Sequence, residues 1–179
     1  MVLTLRCVLL LLLICPTVFA RCSKDLESKR KREIIKKLCD LGELRPVRCA
    51  TEAENMKVQN PNFPEQEGSR LLVLEMSYRI VSDLLMKNAS TEWKSSELQQ
   101  LRDLLGYQRQ FYTTCFPVAS SARAEEVEIW SAFWSSLANF LSEKSFSACA
   151  WESARPIILK VMRKFYRFTT EPRRPIRSR

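Results

Sequence analysis

Apolar residues recur every three or four positions along most of this chain, and that spacing predicts α-helices. Five segments show it, here called A to E. They lie at about 23–44, 67–87, 91–115, 121–143 and from 146 to about 168. No stretch shows the convincing alternation of a β-strand. The pattern therefore predicts an all-α, five-helix bundle.

The lengths of the connections predict how the segments run. The A–B connection, about 45–67, holds Pro46, Cys49 and Phe63-Pro64, and it is long enough to cross the bundle, so that A and B can run parallel. The turns near Asn88 and Ser142 are short, so B–C and D–E should be antiparallel pairs. Ser90 or Thr91 is positioned to cap segment C.

Segment E combines a predicted core face with a charged face. Its apolar positions at helical spacing are Ala150, Ala154, Ile157, Val161, Phe165 and Phe168. Its basic positions are Arg155, Lys160, Arg163, Lys164 and Arg167. We therefore expect a core helix that also presents a binding surface. Pro156 falls inside it and should bend it, because proline removes a backbone hydrogen bond.

The two ends of the chain have compositions unlike the rest. Residues 1–20 combine Arg6, a short apolar run and small residues near Ala20, which is typical of a secretory signal peptide and predicts an extracellular protein. The tail, 171–179, is basic and interrupted by proline, and we expect it to be disordered. One helical domain is predicted over residues 21–170.

Charge and composition narrow the function classes. The formal charge is +9, and loss of Arg6 with the leader would lower it by one. For a secreted protein this favours acidic receptor surfaces, heparan sulfate or anionic membranes over nucleic acid. The chain has no histidine and three glycines, which argues against histidine-based catalysis, histidine metal sites and a phosphate-binding loop. We expect neither enzymatic activity nor a cofactor.

Five cysteines remain beyond the leader, and they read as a disulfide framework with one left over. They are Cys22, Cys39, Cys49, Cys115 and Cys149. Two bridges can be drawn among them in about fifteen ways, so spacing alone leaves the pairing open.

One set of residues in segments D and E carries a resemblance to a known family. Phe133-Trp134, Ser136-Leu137, Phe140-Leu141 and Cys149-Ala150-Trp151 follow the type I interferon signature nearly throughout. Trp134 departs from it, since the family usually has Phe or Tyr there. Pro46 to Cys49, Phe63-Pro64, Trp93 and Cys115 resemble further family positions in order. The cysteine positions and short loops are most similar to fish type I interferons of the four-cysteine group.

This resemblance implies a fold and a covalent framework. The fold would be the five-helix class II helical cytokine bundle with a long A–B crossover loop. The disulfides would be Cys22–Cys115 and Cys49–Cys149. Cys39 would then be a buried free thiol, with intermolecular pairing as the alternative.

The resemblance also implies a function. It predicts a secreted antiviral cytokine, monomeric, that bridges two class II cytokine receptor chains and triggers JAK–STAT signalling. Segment A, the A–B loop and the last helix would face one chain, and segments B, C and D the other. The implied contact positions on the last helix are Arg155, Leu159, Lys160 and Arg163. In the A–B loop Ala53 stands where mammalian relatives carry arginine.

Three further readings belong beside this one. Asn88-Ala-Ser90 is an N-glycosylation acceptor. The main alternative is a cationic secreted helical protein that binds glycosaminoglycan or anionic membrane. The basic run Lys29–Arg32 and the arginine-rich tail support it. The tail is also a candidate site for heparan sulfate. Another class of helical cytokine would show a different disulfide map.

Overall fold

The computed structural model describes residues 22–42, 49, 58, 60–88, 92–116 and 122–170. Within those ranges there are five α-helices and no strand: α1 Lys24–Asp40, α2 Glu67–Asn88, α3 Ser95–Cys115, α4 Ala124–Glu143 and α5 Ala148–Thr170. They correspond in order to segments A to E, so the predicted all-α bundle of five helices is confirmed.

Contacts between the helices give their directions. The amino end of α1 is joined to the carboxyl end of α3 through Cys22 and Cys115, so these two helices are antiparallel. Arg102, early in α3, donates to the backbone oxygen of Leu85, late in α2, which makes α2 and α3 antiparallel as well. It follows that α1 and α2 run parallel, as the long connection between them predicts.

The remaining two helices complete the bundle. The backbone N–H of Arg123, just before α4, bonds to Ser69 early in α2, and Trp134 bonds to Ser77 further along, so α4 runs parallel to α2. A short turn then reverses the chain into α5, as predicted. In that turn Ser145 and Phe146 have positive φ angles, and the N–H of Phe146 bonds to the oxygen of Leu141, closing the end of α4.

Two predicted helix ends differ from the structure. The start of α3 is at Ser95, with Lys94 in the N-cap position and no side-chain cap, so the predicted cap at Ser90 or Thr91 is wrong. The end of α1 is at Asp40, where the N–H of Leu41 still bonds to the oxygen of Lys37. Leu41 and Leu44 continue the apolar pattern past the end of α1, whereas the polar residues before Ser95 give no pattern that marks the start of α3.

The core is dominated by large aromatic side chains. Trp130, Trp134 and Trp151 are fully buried together with Tyr78 and Phe165. Buried indole N–H groups require acceptors. Trp134 donates to Ser77 at 2.8 Å, and Trp130 donates to the backbone oxygen of Asn62 at 3.0 Å. The aromatic residues of segment D therefore belong to the core, as their spacing predicts.

The charged first half of α1 also lies in the bundle. Lys31 is 1% exposed, and its ammonium donates to Glu27 at 2.5 Å and to Thr169 at 2.8 Å. Tyr112 donates its hydroxyl to the same Glu27 oxygen. This densely charged half of the helix is therefore packed in the bundle, because these charges satisfy one another against α3 and α5.

Candidate functional site

The candidate site is the outer face of α5, and its boundary differs from the one that the sequence predicts. The buried face comprises Ala150, Trp151, Ala154, Arg155, Ile158, Leu159, Val161, Met162 and Phe165. Lys160, Arg163 and Arg167 lie on the exposed face. Phe168, expected in the apolar stripe, is 53% exposed.

Arg155 is not part of the exposed basic face. Its side chain is 0% exposed, and it lies four residues after the buried Trp151, one helical turn along the same face. Its Nη1 donates to the backbone oxygen of Leu38 at 2.9 Å, and its Nε donates to Glu152 Oε2 at 3.1 Å. The expectation that Arg155 lies on the exposed basic face is wrong, because the guanidinium is held inside the bundle.

Arg155 instead closes the carboxyl end of α1. The last carbonyls of a helix have no partner within it. Here the guanidinium contacts those of Leu38 and, at 3.5 Å, Cys39. Glu152, also buried, balances the charge and accepts a 2.7 Å hydrogen bond from the indole of Trp93. These residues form a buried polar cluster that ties α5 to the end of α1 and to the segment before α3.

Leu159, predicted as a contact position on the outer face of the last helix, lies in the core instead. It is 3% exposed and belongs to the core, at helical spacing from Arg155 and Met162. A wide buried face is needed on α5 because the helix packs against both α1 and α4. Of the four implied contact positions, only Lys160 and Arg163 are exposed.

Pro156 lies well inside a helix that continues without interruption from Ala148 to Thr170. It cannot donate the usual bond to the oxygen of Glu152. The bend expected there stays a prediction. Pro156 lines the outer face and not the core.

The exposed face of α5 forms one wall of an open groove of about 700 Å³. Its lining residues, which define the α5 groove, are Asn60, Pro156, Lys160, Arg163, Lys164, Arg167 and Phe168. Four of the seven are cationic. Among the described residues, no acidic side chain pairs with any of these four.

Lys164 is the most tightly held cation of the groove. Its Nζ donates to the backbone oxygen of Pro61 at 2.6 Å and lies 5.9 Å from the centre of the Trp130 ring. Partial burial, followed by repulsion from Lys160, lowers the pKa of Lys164 below its ordinary 10.5. Among the residues that the structure describes, the groove thus concentrates positive charge without an acidic counter-charge.

The cysteines are arranged as the family resemblance implies. Cys22 is bonded to Cys115, and Cys49 is bonded to Cys149 at the start of α5. Cys39 is free and partly buried, with its sulfur 3.6 Å from Nη2 of Arg163. The second disulfide fixes one point of the A–B connection against the last helix.

Several predicted features lie outside the described residues. They are the signal peptide at 1–20, the basic tail at 171–179, most of the A–B loop including Ala53, and the remainder of the glycosylation acceptor after Asn88. Asn88 is the last residue of α2. These features stay predictions.

The described residues offer no metal site and no spanning helix. No group of three or more metal-binding side chains lies together among them. No helix within that part of the chain is long and apolar enough to cross a membrane.

Comparison with known proteins identifies the class. A family model described as the interferon alpha/beta domain matches residues 24–172, and the chain therefore belongs to the interferon alpha/beta family. That family consists of type I interferon cytokines and not of enzymes. The resemblance carried by segments D and E is confirmed.

The solved structures agree with this assignment. Zebrafish interferon 2 superposes with a TM-score of 0.65 at 16% sequence identity, over 78% of this chain and 96% of the zebrafish chain. At that identity the likeness establishes the fold, the helical cytokine bundle. No curated protein sequence matches the chain significantly.

Proposed function

We propose that this protein is a secreted antiviral cytokine that bridges two class II cytokine receptor chains and so triggers JAK–STAT signalling. The observation that carries the proposal is the family match across residues 24–172. Such a protein acts through its surface alone, so the exposed residues of the helices decide which receptors it engages.

One receptor chain is proposed to bind the adjoining outer faces of α1 and α5. Lys160 and Arg163 project from α5, and Arg32 and Lys36 are exposed on α1, which packs against α5. Exposed cations on such a face steer association with an acidic partner and raise its rate. Arg155 and Leu159 support this face from inside and do not touch the receptor.

The second receptor chain is proposed to bind the side formed by α2, α3 and α4. Leu72 on α2 and Ile129 on α4 are large apolar residues with substantial exposure. They lie at a similar height on two parallel helices. Exposed apolar residues that cluster are typical of interaction surfaces, whereas single ones are ordinary.

The test combines receptor deletion with a charge reversal. Responsive cells that each lack one candidate receptor chain are treated with the protein, and STAT phosphorylation and antiviral gene induction are measured. Lys160→Glu with Arg163→Glu should lower potency at least about tenfold, equivalent to about 1.4 kcal/mol of binding free energy. Both side chains are exposed, so unfolding stability should be unchanged within about 0.5 kcal/mol.

The matched control reverses two exposed charges in turns, Lys94→Glu with Lys144→Glu. It should signal like the unmodified protein. Absence of a response in every receptor-competent cell would refute the cytokine proposal. Equal loss in both double variants would show that net charge, and not the α5 face, determines potency.

A further inference from the structure

We propose that the α5 groove binds a sulfated glycosaminoglycan chain. The groove lies between α5 and Asn60, is open to solvent, and has a volume of about 700 Å³. This assigns the polyanion site to the folded bundle. The sequence alone had favoured the basic tail.

The cations are spaced along one line. Lys160, Arg163, Lys164 and Arg167 occupy positions i, i+3, i+4 and i+7, which fall on one side of a helix. At a rise of 1.5 Å per residue they cover roughly 10 Å of the helix axis. A linear polymer that carries anionic groups at regular intervals matches a line of charges better than a single anion does.

The charges of the groove are balanced by nothing in the described part of the molecule. Repulsion between Lys160 and Lys164 is one of the two causes that lower the pKa of Lys164. Because an anion between them would remove this repulsion, its binding would be favoured. Lys164 keeps donors for such a ligand, since an ammonium has three and Pro61 accepts one.

The lining of the groove suits a sulfated polysaccharide better than it suits the centre of a protein interface. Centres of protein interfaces are depleted in lysine and enriched in aromatic and other apolar side chains. Two of the four cations here are lysines, and among the described residues that line the groove only Phe168 is aromatic. Guanidinium groups suit sulfate because they offer paired donors in a rigid plane.

The same geometry argues against a membrane surface. A helix that lies on a membrane inserts a broad apolar face between the lipid head groups. The apolar face of α5 is already used in the core, against Trp130 and Tyr78 among others. Of the described large apolar side chains that line the groove, only Phe168 is exposed.

The proposal requires the protein to be extracellular, as the proposed function holds, but it does not require receptor binding. Lys160 and Arg163 would belong to both surfaces. A glycosaminoglycan in the groove would therefore compete with one receptor chain, and matrix-bound protein would be a non-signalling reserve.

The experiment measures binding of the purified protein to immobilised heparin across a range of NaCl concentrations. The groove variant is Lys160→Gln with Arg163→Gln and Arg167→Gln. Its matched control, Lys87→Gln with Arg79→Gln and Arg109→Gln, removes one lysine and two arginines from exposed positions on α2 and α3. Hyaluronan, which lacks sulfate, and phosphatidylserine vesicles are measured in parallel.

The groove variant should bind heparin at least tenfold more weakly at physiological salt. The slope of log Kd against log[NaCl] should fall by about two to three, since each lost cation no longer displaces a counterion. In the control variant, both the heparin affinity and the salt slope should change much less than in the groove variant. Hyaluronan and the vesicles should bind more weakly than heparin.

Three outcomes would overturn the proposal. One is equal weakening in both triple variants, which would mean diffuse attraction by net charge. The second is full heparin affinity in the groove variant combined with loss on replacing Arg173, Arg174, Arg177 and Arg179. The third is preferential binding to vesicles. Each is measured without receptor, so it is separable from failure of the signalling test.

Discussion

Replacing Arg155 by methionine should destabilise the bundle severely, because this arginine is buried and shared between two helices. The change removes the donor to the oxygen of Leu38 and the cation beside Glu152. Methionine fills much of the same volume, so the loss reports on charge and hydrogen bonding more than on a cavity.

The magnitude follows from what is left behind. Glu152 is almost fully buried, and among the described residues it would keep only its hydrogen bond from Trp93. Removing one partner of a buried ion pair typically costs about 3–5 kcal/mol, since the remaining charge is uncompensated. Domains of this size are stable by about 5–15 kcal/mol in total. Arg155→Met should therefore remove a large share of the unfolding free energy.

The double variant Glu152→Gln with Arg155→Met separates the cost of the unpaired Glu152 charge from the cost of the lost hydrogen bonds and packing. Glutamine keeps an acceptor for the Trp93 indole and carries no charge. The double variant should therefore be more stable than Arg155→Met alone by about 1–3 kcal/mol. If Arg155→Met fails to fold at all, recovery of a folded protein in the double variant gives the same answer.

The assay is urea unfolding with disulfides intact, followed by tryptophan fluorescence and far-ultraviolet circular dichroism. Lys160→Met, an exposed cation on the same helix, is the matched control and should stay within about 0.5 kcal/mol of the unmodified protein. A loss below about 1 kcal/mol for Arg155→Met, or no recovery in the double variant, would refute the structural role of the cluster.

Two more predictions use neighbouring features. Gly42→Ala should lower the free energy of unfolding by about 1–3 kcal/mol, because the new Cβ would meet the fixed Glu152 carboxylate at 2.8 Å. Gly106→Ala has open space around it and should raise the free energy of unfolding by about 0.5–1 kcal/mol. Denaturant unfolding of both variants checks this, and stabilisation by both would contradict it. Burial is the main cause that raises the pKa values of Tyr78 and Tyr112 well above 10.0. A group whose pKa is raised on folding contributes stability that is fully present below its unfolded-state pKa and is lost as the pH rises through its folded-state pKa. The free energy of unfolding should therefore fall above about pH 10. The lowered pKa of Lys31 has a smaller effect in the opposite direction. The tyrosinate absorbance of Tyr78 and Tyr112 should therefore appear at the same pH at which the circular dichroism of the folded protein is lost. Complete ionisation of both tyrosines while the protein stays folded would contradict this prediction.

The sequence predicts the bundle well because its apolar periodicity is strong. Segments B and D carry wide apolar stripes, and the short turns after them determine antiparallel pairing. Helix ends are less predictable, since α3 begins at Ser95 without a side-chain cap that a pattern could reveal. The covalent framework came from family resemblance and not from spacing.

The candidate site was only half predictable, for a physical reason. Periodicity assigns Arg155 to the polar side because arginine is rarely buried, yet the position follows Trp151 by one turn. The same error affects Glu27 and Lys31, which precede Ile34 and Leu38 at core spacing in α1. A charge at a core position, with an opposite charge three or four residues away, is the signal that could have identified both buried clusters.

The two disulfides have a consequence for how the chain matures. They join residues 93 and 100 apart, each linking an early cysteine to one supplied by α3 or α5. In the secreted protein proposed above, Cys22, Cys39 and Cys49 enter the oxidising compartment before Cys115 and Cys149, and any bond among these three is non-native. Every such bond must be exchanged once Cys115 and Cys149 appear. The native set of disulfides is therefore completed only once the start of the last helix has been made.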